Sequence, residues 1–88
     1  MKYNIEFSKR AAKKLKTLER RFQKQIAIKI EKLITNPLPK DSKKIQGDTN
    51  LYRLRSGNYR ILYRIFDKKI LILILDIGHR KEIYTQLS

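Results

Sequence analysis

The chain has 88 residues, no cysteine, one histidine and a formal net charge of +14. That length makes one domain (residues 1–88) with a thin core. The missing cysteines exclude a disulfide framework, and with a lone histidine they leave no ordinary zinc ligand set. Charge of one sign on so small a surface repels itself and is tolerated when a polyanion is the partner: nucleic acid first, then an acidic protein or an anionic membrane.

The N-terminus shows no signal-peptide pattern, and the longest apolar run, Ile70–Leu75, is too short to span a bilayer. The expectation is a soluble, cytoplasmic protein with no membrane partner.

Tyr3, Ile5 and Phe7 alternate with polar residues, so a strand over Tyr3–Phe7 with one buried face is expected. Ser8 is placed to cap a helix that carries Ala11, Ala12, Leu15 and Leu18 on one face. A second helix follows, with Phe22, Ile26, Ile30, Leu33 and Ile34 in helical phase, and Asn36-Pro37 ends it. The break near Glu19–Arg21 rests on phase alone. Asn36 to Asn50, rich in turn formers, is expected to be a long loop.

Leu51–Arg55 reads as a strand with Leu51, Arg53 and Arg55 on one face. Ser56-Gly57-Asn58 turns the chain. Tyr59–Phe66 returns, with Arg60, Leu62 and Arg64 on one face and Tyr59, Ile61, Tyr63 and Ile65 on the other. After a turn at Asp67-Lys68-Lys69, Ile70–Leu75 shows no alternation and is expected as an interior strand covered on both faces. Gly78 is expected to break that strand and deliver His79, Arg80 and Tyr84. The sum is an α+β fold: an N-terminal strand, and a two-helix hairpin packed on one face of a small, mostly antiparallel twisted sheet, with a short C-terminal tail.

The chemistry is narrowed by elimination. No nucleophile elbow, phosphate-binding glycine loop or carboxylate dyad is present, and clustered carboxylates for a metal-dependent nuclease are missing. Neither a metal nor a cofactor is expected. Arginine and tyrosine remain. Arginines on adjoining strands meet across the ladder, which is costly unless an anion sits among them. A guanidinium binds phosphate bidentately and stabilises charge growing on a phosphorane. The residues themselves leave open a basic sheet face that only binds phosphates.

The order strand–helix–helix–strands, with Tyr59-Arg60-Ile61-Leu62-Tyr63 and Gly78-His79-Arg80 followed by Tyr84, resembles the RelE/ParE toxin superfamily on its RelE side. The resemblance covers nearly the whole chain, more loosely before Lys43. It implies a ribosome-dependent endoribonuclease, cutting mRNA by metal-free attack of the substrate's 2′-hydroxyl and neutralised by a small acidic, RelB-like antitoxin. It places catalysis on Arg60, Arg80 and Tyr84. From the basic residues themselves, RNA binding is expected of Arg53, Arg55, Arg64, His79, Lys43 and Lys44. Where the best-known members carry a strand lysine pair, this chain has Arg53 at one position and Leu51 at the other, with Arg55 two residues on. Arginine does not give up its proton, so Tyr84 takes more of the base role. Two other readings stand beside this one: a non-enzymatic gyrase inhibitor of ParE type, and a basic RNA- or ribosome-binding protein without catalysis.

Overall fold

In a computed structural model, residues 2–47 and 49–79 are described. Strand β1 (Asn4–Phe7) leads into helices α1 (Lys9–Thr17) and α2 (Arg20–Lys32), followed by strands β2 (Ser42–Lys44), β3 (Leu51–Ser56), β4 (Tyr59–Phe66) and β5 (Leu71–His79). The strands form one sheet in the order β1-β5-β4-β3-β2. Only β1 and β5 run parallel; the other pairs are antiparallel. No helix among the described residues is long and apolar enough to cross a membrane.

The helices separate where the phase predicts. Ser8 caps α1 with its hydroxyl oxygen, accepting the Ala11 N–H at 3.0 Å. Leu18 closes α1 in an extended conformation, and α2 starts at Arg20. The Gln23 amide donates to the Lys16 and Leu18 carbonyls at 3.2 and 2.9 Å, satisfying oxygens that the end of α1 leaves over. Ala11, Ile26, Ile30 and Leu33 then meet Leu54, Ile61, Tyr63, Ile65, Ile72, Ile74 and Ile77 in one core on the helix side of the sheet.

Ser8 also ties the helix to the sheet, because its hydroxyl donates to the Leu75 carbonyl at 2.7 Å. Ser8→Ala removes the cap and leaves a half-buried carbonyl unpaired. The expected loss is about 1–2 kcal/mol. Ser8→Thr is expected to keep most of it. Urea midpoints of the two variants check this; equal midpoints for Ser8→Ala and wild type would contradict the double role.

Three expected element boundaries need correction. The stretch Asn36–Asn50 is not all loop, since Ser42–Lys44 pairs antiparallel with Leu54–Tyr52 as an edge strand. It carries no apolar alternation because its burial is slight. The last strand starts at Leu71 rather than Ile70, which takes a left-handed conformation (φ 50°) after a short 3-10 turn. Nor does Gly78 break it: β5 runs through Gly78 to His79, paired with Arg60 and Tyr59 of β4.

Strand β5 is interior, but among the described residues only one of its faces is sealed. Ile72 and Ile74 are buried against the helices, while Leu71, Leu73 and Leu75 are half-buried on an uncovered side. The described residues give that second face half-cover, where the aliphatic run predicts full cover. A register shift between Leu62 and Tyr63 skips Leu75, so the β4–β5 ladder carries a bulge there.

Candidate nucleic-acid interface

Gly57 takes a positive φ of 59° in a two-residue turn between Ser56 and Tyr59, and that turn fixes the hairpin register. Tyr52, Leu54, Ile61 and Tyr63 then face the helices. Their alternating neighbours face away: Arg55 lies opposite Arg60, Arg53 opposite Leu62, and Leu51 opposite Arg64. Strand β2 adds Lys43 opposite Arg53. Side chains of Lys43, Arg53, Arg55 and Arg60, with Asp41, line a cleft of about 120 Å³. Strand β2, expected from sequence as loop, thus completes the basic cleft.

Arg60 is the unusual member. It is only 6% exposed, and its Nη1 donates to the carbonyls of Gly57 at 3.1 Å and Tyr59 at 3.0 Å. These bonds aim the guanidinium and leave its other N–H groups available, since arginine carries five. A buried cation facing Arg55 across the ladder is unfavourable without an anion. Gly78, opposite Arg60 on the other flank, places no side chain beside it.

Asp41 was not anticipated at this cleft. Its carboxylate pairs with the Lys29 ammonium of α2, and that hydrogen bond holds its pKa below the usual carboxylate range. The pair ties the chain entering β2 back to α2. Sequence offers no signal for it, because the contact spans a loop.

Other named residues lie elsewhere. Arg64 shares the face but sits four residues along β4 from Arg60, roughly 13 Å in an extended strand. Its Nη1 donates to the Thr49 carbonyl at 2.6 Å. Lys44 alternates away from Lys43, opposite Tyr52. His79 pairs with Tyr59 on the helix side, so the sheet separates it from Arg60. Arg80 and Tyr84 lie outside the described residues. Among the described tyrosines, Tyr63 is no candidate base: burial pushes its pKa up to about 12, and its hydroxyl donates to the Pro37 carbonyl at 2.8 Å.

At the same end of the sheet, Asp76 is 3% exposed and meets Arg10 Nε at 3.2 Å and Lys14 Nζ at 3.1 Å, joining α1 to β5. One of its oxygens also accepts the Ile77 N–H at 2.9 Å. No group of three or more His, Cys, Asp or Glu side chains that could hold a metal ion forms among the described residues.

The described residues form a helical hairpin on one side of a five-stranded sheet, with a basic cleft on the other, and that fold matches solved structures of RelE toxins. The sequence matches the family model for the ParE toxin of type II toxin–antitoxin systems over residues 5–84, and the chain belongs to that family, within the RelE/ParE superfamily. It is 38% identical over 84 residues to toxin RelE3 of Methanocaldococcus jannaschii, covering 91% of this chain and 93% of the relative. It is 28% identical over 90 residues to the mRNA interferase toxin RelE of Escherichia coli K12, covering 98% and 94%. The archaeal RelE–RelB complex of Pyrococcus horikoshii contains a chain that superposes with a TM-score of 0.81 at 29% identity, covering 91% of this chain and 97% of that one.

Proposed function

We propose that the protein is the toxin of a toxin–antitoxin pair and an endoribonuclease that cuts mRNA on the ribosome. The observation that carries this reading is the buried, carbonyl-anchored Arg60 among Arg53, Arg55 and Lys43. A cleft of that size and charge suits one phosphodiester group. In this mechanism the 2′-hydroxyl oxygen attacks the adjacent phosphorus and the bond to the 5′-oxygen breaks, leaving a 2′,3′-cyclic phosphate. Arg60 stabilises the phosphorane, Arg80 assists the departing oxygen, and Tyr84 takes the 2′-hydroxyl proton. Arg53, Arg55 and Lys43 hold the flanking backbone; Lys44, Arg64 and His79, outside the cleft, are left to longer-range contacts.

Relatives named mRNA interferase support the nuclease, and solved RelE–RelB complexes support an antitoxin partner. The test is cell-free translation with purified protein, followed by primer extension on the message. New 5′ ends of downstream fragments that appear only with ribosomes present are the expected result. Blocked synthesis on an intact message, or no effect, would reject it. The matched family model carries the ParE name, which favours the gyrase-inhibitor reading as the second choice. A DNA-supercoiling assay with gyrase separates the two.

The partner is an acidic antitoxin lying on the sheet face that the described helices leave open, where half-buried Leu62, Leu71 and Leu73 adjoin the arginines. Opposite charge steers such an encounter, so the association rate is expected to fall about tenfold or more between low and high salt. Stopped-flow mixing measures it. A rate independent of salt would remove the steering argument.

A further inference from the structure

The helix side of the same strand ends holds a second cleft. Its volume is about 260 Å³, and Lys14, Thr17 and Leu18 of the α1 end line it with Tyr59, Ile77, Gly78 and His79. Its aromatic lining is Tyr59 and His79, and a row of contacts outside the cleft backs them. Arg21 lies 4.6 Å over the Phe22 ring, Phe22 packs on Tyr59 at 5.2 Å, and Tyr59 meets His79 edge-on at 6.0 Å. Gly78 lines the cleft between Ile77 and His79, whose side chains face the helices. At the rim the Lys14 ammonium is held by the buried Asp76 carboxylate at 3.1 Å rather than swinging free. Aromatic and aliphatic walls with a fixed cation at the mouth suit a flat, apolar-faced group attached to a phosphate.

We propose that this cleft seats one unstacked nucleobase of an RNA strand. Single-stranded RNA is read largely by splayed bases laid on aromatic side chains, with cations tracking the backbone. Position strengthens the assignment. Tyr59 and Arg60 are consecutive on β4 and point to opposite sides of the sheet, so the base seat and the phosphate cleft flank one strand end. A strand whose phosphate sits at Arg60 passes the Gly57 turn and presents a neighbouring base to the helix side. The inference rests on the RNA-cleaving reading for the identity of the polymer; the seat itself rests on the aromatic row and Lys14.

The test uses the full chain with methyl labels on Leu and Ile and needs neither ribosome nor cleavage. Adenosine 5′-monophosphate and uridine 5′-monophosphate are titrated against ribose 5-phosphate, which lacks the base. The nucleotides are expected to shift the Leu18 and Ile77 methyl resonances saturably. Ribose 5-phosphate is expected to leave them in place while moving Leu62, beside the arginines. Unmoved Leu18 and Ile77 signals at saturating nucleotide, or equal shifts with ribose 5-phosphate, would overturn the seat. Tyr59→Leu is expected to weaken nucleotide binding by roughly five- to a hundredfold, with ribose 5-phosphate affinity unchanged. Wild-type affinity in a folded Tyr59→Leu would also overturn it, and if that variant does not fold, the wild-type titration decides. Nucleotide shifts without message cleavage would sink the nuclease reading alone; cleavage without nucleotide shifts would sink the seat alone.

Discussion

Ile72→Asp is expected to abolish the fold. Ile72 is fully buried, with Ile5 of β1 on one flank and Ile65 of β4 on the other, beneath the helices. A carboxylate there has no partner, and an unpaired buried charge costs several kcal/mol, roughly. Small domains hold on the order of 5–15 kcal/mol in all, and a net charge of +14 draws that down by self-repulsion. The expected result is a far-ultraviolet spectrum without helix and no cooperative urea transition. Leu73→Asp is the control: one residue on, it faces the half-open side opposite Arg64. That variant is expected to unfold cooperatively with a modest loss. A soluble, cooperatively folded Ile72→Asp would contradict the interior placement of β5.

That contrast marks what local pattern carries. Ile61, Tyr63 and Ile65 announce their buried face because Arg60 and Arg64 alternate with them, and β4 begins and ends where the alternation does. The same alternation in β1 overstates burial, since Phe7 is 41% exposed. Ser8 and the phase change at Glu19 locate both helix starts because capping and periodicity are local. Strand β2 leaves no such trace. Ser42-Lys43-Lys44 is a strand only because β3 offers an unpaired edge, and nothing apolar needs burying there. Gly78 misleads for a related reason. Its freedom suggests a break, but inside a sheet a glycine also marks close approach, here beside a buried Arg60.

The candidate site divides in the same way. Strand parity alone puts Arg53, Arg55 and Arg60 on one face, and the hairpin register turns that face into neighbours. Parity also sends His79 to the other side, which follows only once β5 is known to continue past Gly78. Asp41 and Asp76 were invisible as partners because their cations, Lys29 and Arg10 with Lys14, lie on helices far along the chain. Buried Asp76 standing between Leu75 and Ile77 was the one local hint, a charge inside an aliphatic run.

Arg60→Ala is expected to lower the cleavage rate on ribosomes by on the order of a hundred- to a thousandfold, the usual effect of removing a preorganised electrostatic stabiliser. The size follows from preorganisation: the guanidinium is buried and already held by the Gly57 and Tyr59 carbonyls, so it does not reorganise as charge develops. Arg60→Lys is expected to recover little, because one ammonium cannot both bond two carbonyls and grip a phosphate in a fork. Tyr84→Phe is expected to keep the fold and ribosome binding and lose most of the rate, as a proton carrier would. A message with a 2′-deoxy sugar at the cut site is expected to survive, since its nucleophile is gone. Single-turnover cleavage on programmed ribosomes reads all four, with circular dichroism confirming that each variant is folded. Normal cleavage of the deoxy message would refute the 2′-hydroxyl mechanism. Wild-type rates in both Arg60→Ala and Tyr84→Phe would show that the site is misplaced. A tight ribosome complex without cleavage in the wild-type protein would favour the binding-only reading of the basic face.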